Sequence, residues 1–83
     1  MRSTLELRLG PLSADIEYAT VAEWRKREGD AVAAGETILE VETDKVRQEI
    51  EAPVDGTLTE IMAVEGDELK VGALLAIIEE KPA

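Results

Sequence analysis

The sequence predicts an all-β fold, a flattened sandwich of two small antiparallel sheets related by a pseudo-twofold repeat. Short segments of β-branched and large apolar residues alternate with polar ones, and glycine-containing turns separate them. The chain also repeats itself at an offset of 37 residues, as between Gly29 and Gly66 or Gly35 and Gly72. Two such halves, each with one apolar face, would cover each other as a sandwich.

Each predicted strand ends at a turn signal. Gly10-Pro11 ends the first strand, Glu28-Gly29-Asp30 and Glu65-Gly66-Asp67 form equivalent turns, and Pro53 to Gly56 forms another. Glycine suits these places because it adopts positive φ at little cost. Val32 and Leu69 are short apolar contacts between turns. Strands are predicted at residues 4–9, 18–25, 37–42, 46–51, 57–62 and 74–79.

The central pair of strands forms a hairpin with Asp44-Lys45 at its tip. Asp favours turns because its carboxylate can bond the backbone ahead of it. A helix from Ala31 to Ala52 is the alternative, since this stretch is rich in Ala, Glu and Lys. Its apolar residues keep no three-four rhythm, however, and Gly35 interrupts it. The hairpin interpretation places the Lys45 amine in water, where another enzyme could modify it.

Composition excludes several functions. The 83 residues form one domain that contains neither cysteine nor histidine. Disulfides, thiolate metal sites and the commonest general base are therefore absent. A formal charge of −10 opposes binding to nucleic acid. No apolar run reaches the length of a membrane span, so no membrane partner is expected.

The repeat is broken in two places. Pro11 lies ten residues before Val21, whereas Pro53 lies five before Leu58, which predicts a five-residue insertion around Leu12 to Glu17. Where the first half reaches Lys45, the second reaches the last residues of the sequence. The repeat therefore yields one hairpin lysine. We expect a domain at residues 1–80 and the start of a linker at 81–83.

The motif Glu42-Thr43-Asp44-Lys45-Val46, between the two Glu-Gly-Asp turns, resembles that of a lipoyl domain. Such domains belong to the dihydrolipoamide acyltransferase component of 2-oxo acid dehydrogenase complexes, and their fold is the barrel-sandwich hybrid. The resemblance covers residues 4–79. Biotinyl domains share the fold but typically carry Met on both sides of the modified lysine, where this chain has Asp44 and Val46.

The resemblance implies a non-catalytic carrier domain with lipoic acid in amide linkage to Lys45. It implies that the modifying lipoyl ligase or transferase recognises the residues around the lysine, which are Glu42, Thr43, Asp44 and Val46. It also implies a loop that the decarboxylase recognises, formed by Leu12, Ser13, Ala14, Asp15, Ile16 and Glu17. This loop lacks the glycine that the family usually has before the second strand.

The implied function is a shuttle of acyl groups and reducing equivalents between three enzymes. A thiamine-diphosphate-dependent 2-oxo acid decarboxylase loads the lipoyl arm, an acyltransferase core unloads it, and dihydrolipoyl dehydrogenase reoxidises it. The expected location is the cytoplasm of a bacterium or the mitochondrial matrix of a eukaryote. The alternatives are a biotinyl carrier domain and an unmodified structural module in which Lys45 is an ordinary solvated lysine.

Two further residue groups have more than one interpretation. Trp24 is expected in the core rather than in a binding platform, because it corresponds to Ile61 in the repeat. Glu40, Glu42, Glu49 and Glu51 could suggest a calcium site. Their alternation along two strands instead favours a solvated face.

Overall fold

The computed structural model describes residues 3–12 and 16–81, and these form strands and turns without a helix. This part of the chain therefore contains no helix that could span a membrane. Of the expected linker at 81–83, only Lys81 is described, and its N–H donates to the carbonyl of Asp55 (2.8 Å). The eight strands are β1 (Ser3–Arg8), β2 (Tyr18–Trp24), β3 (Ala31–Val32), β4 (Thr37–Glu42), β5 (Arg47–Glu51), β6 (Gly56–Ile61), β7 (Glu68–Lys70) and β8 (Leu74–Glu80).

The strands form two antiparallel sheets, as the sequence predicts. Each sheet has four strands, because β3 and β7 lie where the sequence analysis expected only the short apolar contacts of Val32 and Leu69. One sheet has the order β1-β8-β6-β3 and the other has the order β5-β4-β2-β7. Exchanging each strand for its counterpart in the other half converts the first order into the second. The pseudo-twofold repeat therefore relates the two sheets, and each sheet takes two strands from each half.

The core lies between the two sheets, and several equivalent residues of the two halves contribute to it. Val21 and Leu58 are each at most 1% exposed, and so are Val41 and its counterpart Ile78. Full burial of a side chain of this size is worth about 1.5–3 kcal/mol. Burial at these equivalent positions thus stabilises both halves of the domain.

Four glycines with positive φ occupy the repeated turns. Gly29 and Gly66 have φ of 94° and 95°, and Gly35 and Gly72 have 87° and 95°. L-residues rarely adopt this conformation because Cβ then crowds the backbone. The turns predicted at these four glycines are therefore correct, whereas Gly56, which the sequence analysis places in a turn, begins β6.

The insertion in the first half is six residues long, and the predicted length of five is wrong. The N–H of Leu9 donates to Ala73 and its carbonyl accepts from Gly72, while Ala52 bonds Glu36 and Gly35 in the same way. Leu9 is thus the counterpart of Ala52, an offset of 43 rather than 37. Aligning the prolines misplaced the register by one residue.

Candidate functional site

The hairpin between β4 and β5 closes with a two-residue loop, Asp44-Lys45. The N–H of Thr43 donates to the carbonyl of Val46 (2.8 Å) and so defines the last backbone bond before the tip. Among the described residues, only glycines have positive φ. Most two-residue hairpin loops need positive φ at one or both positions. This loop instead turns with negative φ at both residues.

The side chain of Thr43 supports this turn. Its hydroxyl oxygen accepts from the N–H of Lys45 (3.3 Å) and from the N–H of Val46 (3.1 Å). The same hydroxyl is placed to donate to the carbonyl of Val46 (3.1 Å). A hydroxyl has one donor and two acceptor positions, so all three are engaged.

The residues around Thr43 are exposed. Glu42, Asp44 and Lys45 all lie open to solvent, and 49% of Val46 is exposed although it is apolar. Lys45 therefore lies at the tip, where the sequence places it, and outside the hydrophobic core. The predicted recognition roles of its neighbours stay predictions.

An open groove of about 760 Å³ runs beside the tip. Thr43, Asp44 and Lys45 line one side of it, and Tyr18 at the start of β2 lies half exposed in it. Several carboxylates surround this space, so it favours contact with basic rather than acidic partners. Those carboxylates belong to Glu17, Glu42, Asp44 and Glu68.

The predicted recognition loop reaches the same groove. Ile16 and Glu17 line it, and the carbonyl of Glu17 accepts from the N–H of Val71 (2.9 Å). Leu12 at the other end of the loop packs against the core. Ser13, Ala14 and Asp15 lie outside the described residues.

Glu40 on β4 differs from the solvated carboxylate that its strand pattern indicates. It is only 8% exposed and lies between two arginines. Its Oε2 accepts from Nε of Arg25 (2.8 Å) and from Nη2 of the same residue, and its Oε1 lies 3.0 Å from Nε of Arg47. The hydrogen bond from Arg25 lowers the pKa of Glu40, burial opposes the shift, and the charges of Arg25 and Arg47 add to it. The same hydrogen bond raises the pKa of Arg25.

The cluster of Arg25, Glu40 and Arg47 stabilises the base of the hairpin. Arg25 follows β2, Glu40 lies in β4, and Arg47 begins β5 on the far side of the tip. The three residues therefore connect the edge strand that carries the tip to the middle of its sheet. Within the ranges that the structure describes, no three acidic side chains are close enough together to hold a metal ion.

Trp24 is half-buried and packs against the core, whereas the sequence analysis expected it within the core. Its indole N–H donates to the carbonyl of Ala63 (2.9 Å), which gives the polar edge of the ring a partner. The residue therefore ties the end of β2 to the segment after β6.

These features together define a class of protein. A small two-sheet sandwich that presents an exposed lysine on a hairpin tip, beside an open groove, can hold a covalently attached group and offer it to other proteins. Such an arrangement is that of a carrier domain for a prosthetic group.

Residues 5–78 match the biotin/lipoyl family, which is described as "Biotin-requiring enzyme". The chain belongs to this family, and within it is a lipoyl domain. It resembles the solution structure of the lipoyl domain of the 2-oxoglutarate dehydrogenase complex from Azotobacter vinelandii, with a TM-score of 0.72 and 39% identity. That alignment covers 95% of this chain and 98% of the other.

Two curated relatives are larger proteins. The chain is 47% identical over 76 residues to the dihydrolipoyllysine-residue succinyltransferase component of the 2-oxoglutarate dehydrogenase complex of Bartonella vinsonii. It is 40% identical over 75 residues to the dihydrolipoyllysine-residue acetyltransferase component of the pyruvate dehydrogenase complex of Acholeplasma laidlawii. These matches cover 92% and 90% of this chain but 18% and 14% of the relatives. The chain therefore spans less than a fifth of the curated relatives it matches.

Proposed function

We propose that Lys45 carries a lipoyl group in amide linkage and that the domain serves as the carrier of a 2-oxo acid dehydrogenase complex. The observation that supports this most directly is the position of Lys45, exposed at the tip of the hairpin in a lipoyl-domain fold. The tip lies outside the core, so an acyl chain on the amine requires no repacking. The residues present therefore fit the group.

Modification of Lys45 needs a base from another protein. Acylation forms a bond between Nζ and the carbonyl carbon of an activated lipoyl donor, whose leaving group departs as the amine loses its protons. A free lysine amine has a pKa near 10.4 in solution and is mostly protonated at neutral pH. The chain contains no histidine that could remove the proton. We infer that a ligase or transferase supplies this base.

Once acylated, Lys45 loses its charge while the surrounding carboxylates keep theirs. The formal charge of the chain, −10 before modification, becomes more negative by one unit. A bound lipoyl group supplies a redox-active dithiolane, which this cysteine-free chain lacks. The hairpin carries the point of attachment at its tip, and the acidic groove beside it offers a surface to basic partners.

We propose that the partners are a thiamine-diphosphate-dependent decarboxylase, an acyltransferase core and dihydrolipoyl dehydrogenase. The relatives named above support the class of complex, because both are acyltransferase components of 2-oxo acid dehydrogenase complexes. One belongs to a 2-oxoglutarate and the other to a pyruvate system, so the proposal is for the 2-oxo acid class. A tether in such a polypeptide would hold the arm at an effective concentration of about 1 mM.

Intact mass spectrometry tests the modification. The unmodified chain is incubated with lipoate, ATP and a lipoate ligase, and the expected result is the addition of one lipoyl group. Lys45→Arg is the matched control, because it keeps the positive charge but cannot form the amide in this way. Peptide mapping should place the group on Lys45 rather than on Lys26 or Lys70.

A parallel incubation with biotin and a biotin ligase examines the biotinyl alternative. Asp44 and Val46 replace the methionines typical of biotinyl domains, so no biotin should be attached. A biotin adduct without a lipoyl adduct, or equal lipoylation of the Lys45→Arg variant, would contradict the proposal.

A further inference from the structure

We propose that Thr43 is a positioning residue for the modification of Lys45, and that its hydroxyl acts by holding the turn rather than by contacting the ligase. This inference rests on the proposed function. Its basis is the set of three hydrogen bonds that join this side chain to Lys45 and Val46.

The tip forms the outer end of the hairpin. Asp44 and Lys45 are exposed, and the loop lies beyond the last strand residues, Glu42 and Arg47. A two-residue loop with negative φ does not match the twist of a hairpin as well as the mirror-image turns do. The turn therefore depends on additional bonds, and the Thr43 hydroxyl supplies them.

The two hydroxyl-accepted bonds come from consecutive N–H groups, those of Lys45 and Val46. Both bonds restrain the backbone of Lys45. The first involves its own N–H, and the second involves the N–H of the peptide group that joins it to Val46. The hydroxyl also shares the carbonyl of Val46 with the N–H of Thr43. The direction in which the Cα–Cβ bond of Lys45 leaves the loop is set by this backbone.

Thr43→Val removes the hydroxyl and keeps the branched shape, whereas Thr43→Ser keeps the hydroxyl. Without the bonds, the loop occupies additional conformations, and only part of the population presents the amine correctly. A partly populated competent state raises the apparent KM without changing the rate of the bound complex. We expect the KM of the ligase for the Thr43→Val domain to rise about tenfold, with kcat unchanged, which corresponds to losing one or two net hydrogen bonds.

Thr59→Val is the matched control. The hydroxyl of Thr59 also bonds a backbone carbonyl, that of Ile77 (3.1 Å), but in the sheet that lacks the hairpin. This variant should be lipoylated with the wild-type KM, and so should Thr43→Ser.

Amide hydrogen exchange of the unmodified domain gives a readout that needs no ligase. In Thr43→Val the N–H groups of Lys45 and Val46 should exchange about tenfold faster, while the core N–H of Leu58 keeps its wild-type rate. Faster exchange at Leu58 as well would show a general loss of stability and overturn the proposal.

Three other results would also overturn it. A wild-type KM for Thr43→Val would show that the hydroxyl is dispensable, and a raised KM with unchanged exchange would show that the ligase reads the hydroxyl directly. An equal rise for Thr43→Ser would assign the effect to shape. Failure of the proposed function is distinguishable, because the wild-type domain itself would then take no lipoyl group.

Discussion

Glu28 and Glu65 form equivalent hydrogen bonds across the pseudo-twofold axis. The carboxylate of Glu65 accepts from the backbone N–H of Trp24 (3.1 Å), and that of Glu28 accepts from the N–H of Ile61 (2.8 Å). Trp24 and Ile61 are counterparts in the repeat, as are Glu65 and Glu28, so the two hydrogen bonds are equivalent. The glutamates of the two Glu-Gly-Asp turns therefore join the halves, in addition to marking the turns.

Glu28→Ala and Glu65→Ala should destabilise the domain by similar amounts. Each removes one charge-assisted hydrogen bond at an exposed site, which we expect to lower the free energy of unfolding by about 1 kcal/mol. Urea denaturation measures this as a lower midpoint with an unchanged slope. Glu60→Ala is the control for loss of one negative charge from an exposed glutamate. Equal midpoints for all three variants would contradict the role of these bonds.

Gly56 allows close contact between β6 and β8, and its substitution should be costly. A Cβ built at this residue would lie far inside van der Waals distance of the backbone carbonyl of Glu79 and 3.1 Å from Cγ2 of Ile78. Gly56→Ala should therefore lower the free energy of unfolding by about 3 kcal/mol.

Gly10→Ala is the matched control for Gly56→Ala. It places a methyl group where no other atom lies within 4 Å, and its φ lies outside the positive range. We expect its thermal midpoint to equal or slightly exceed that of the wild type. A wild-type midpoint for Gly56→Ala would show that the two strands can separate without cost.

Glu40→Gln should reduce stability at neutral pH but not at low pH. The pKa of Glu40 is lowered from its ordinary value of 4.5, chiefly by the hydrogen bond from Arg25. Its contribution to stability is therefore fully present above the ordinary pKa and is lost as the pH falls through the lowered folded value. Urea midpoints of wild type and variant should differ at about pH 7 and approach each other as the pH falls below the ordinary pKa of 4.5. A difference that persists at low pH would assign the effect to packing instead.

Lipoylation should leave the stability of the domain nearly unchanged. Lys45 is exposed and lies outside the core, and changes at such sites usually alter the free energy of unfolding by less than about 0.5 kcal/mol. Urea denaturation of the modified and unmodified forms should give midpoints that agree within this range. A large shift would mean that the attached arm packs against the sandwich.

The repeat made most of the fold predictable. An offset of 37 residues places Gly29 with Gly66 and Val21 with Leu58, and the structure gives each pair the same conformation or burial. The insertion length was misjudged because Pro11 and Pro53 are not equivalent, whereas Leu9 and Ala52 are. The positions of prolines in a sequence do not show which residues are paired by backbone hydrogen bonds.

The site was predictable at Lys45 and less so around it. The motif indicates an exposed lysine at a hairpin tip, but it favours Asp44 as the turn former and does not reveal the three bonds of the Thr43 hydroxyl. Alternation along β4 likewise places Glu40 on a solvated face. Its partners Arg25 and Arg47 come from other parts of the sheet, and their positions depend on strand register and on a bulge in β2.

The pairing of strands between the two halves determines how the domain can dissociate. Of the six strand pairings within residues 3–12 and 16–81, four join one half to the other. Neither repeat can therefore close a sheet by itself, and the chain is comparable to an intertwined dimer whose two subunits are covalently linked through the hairpin. A single proteolytic cut between Asp44 and Lys45 would leave two fragments that remain associated, and their separation would require both sheets to melt together.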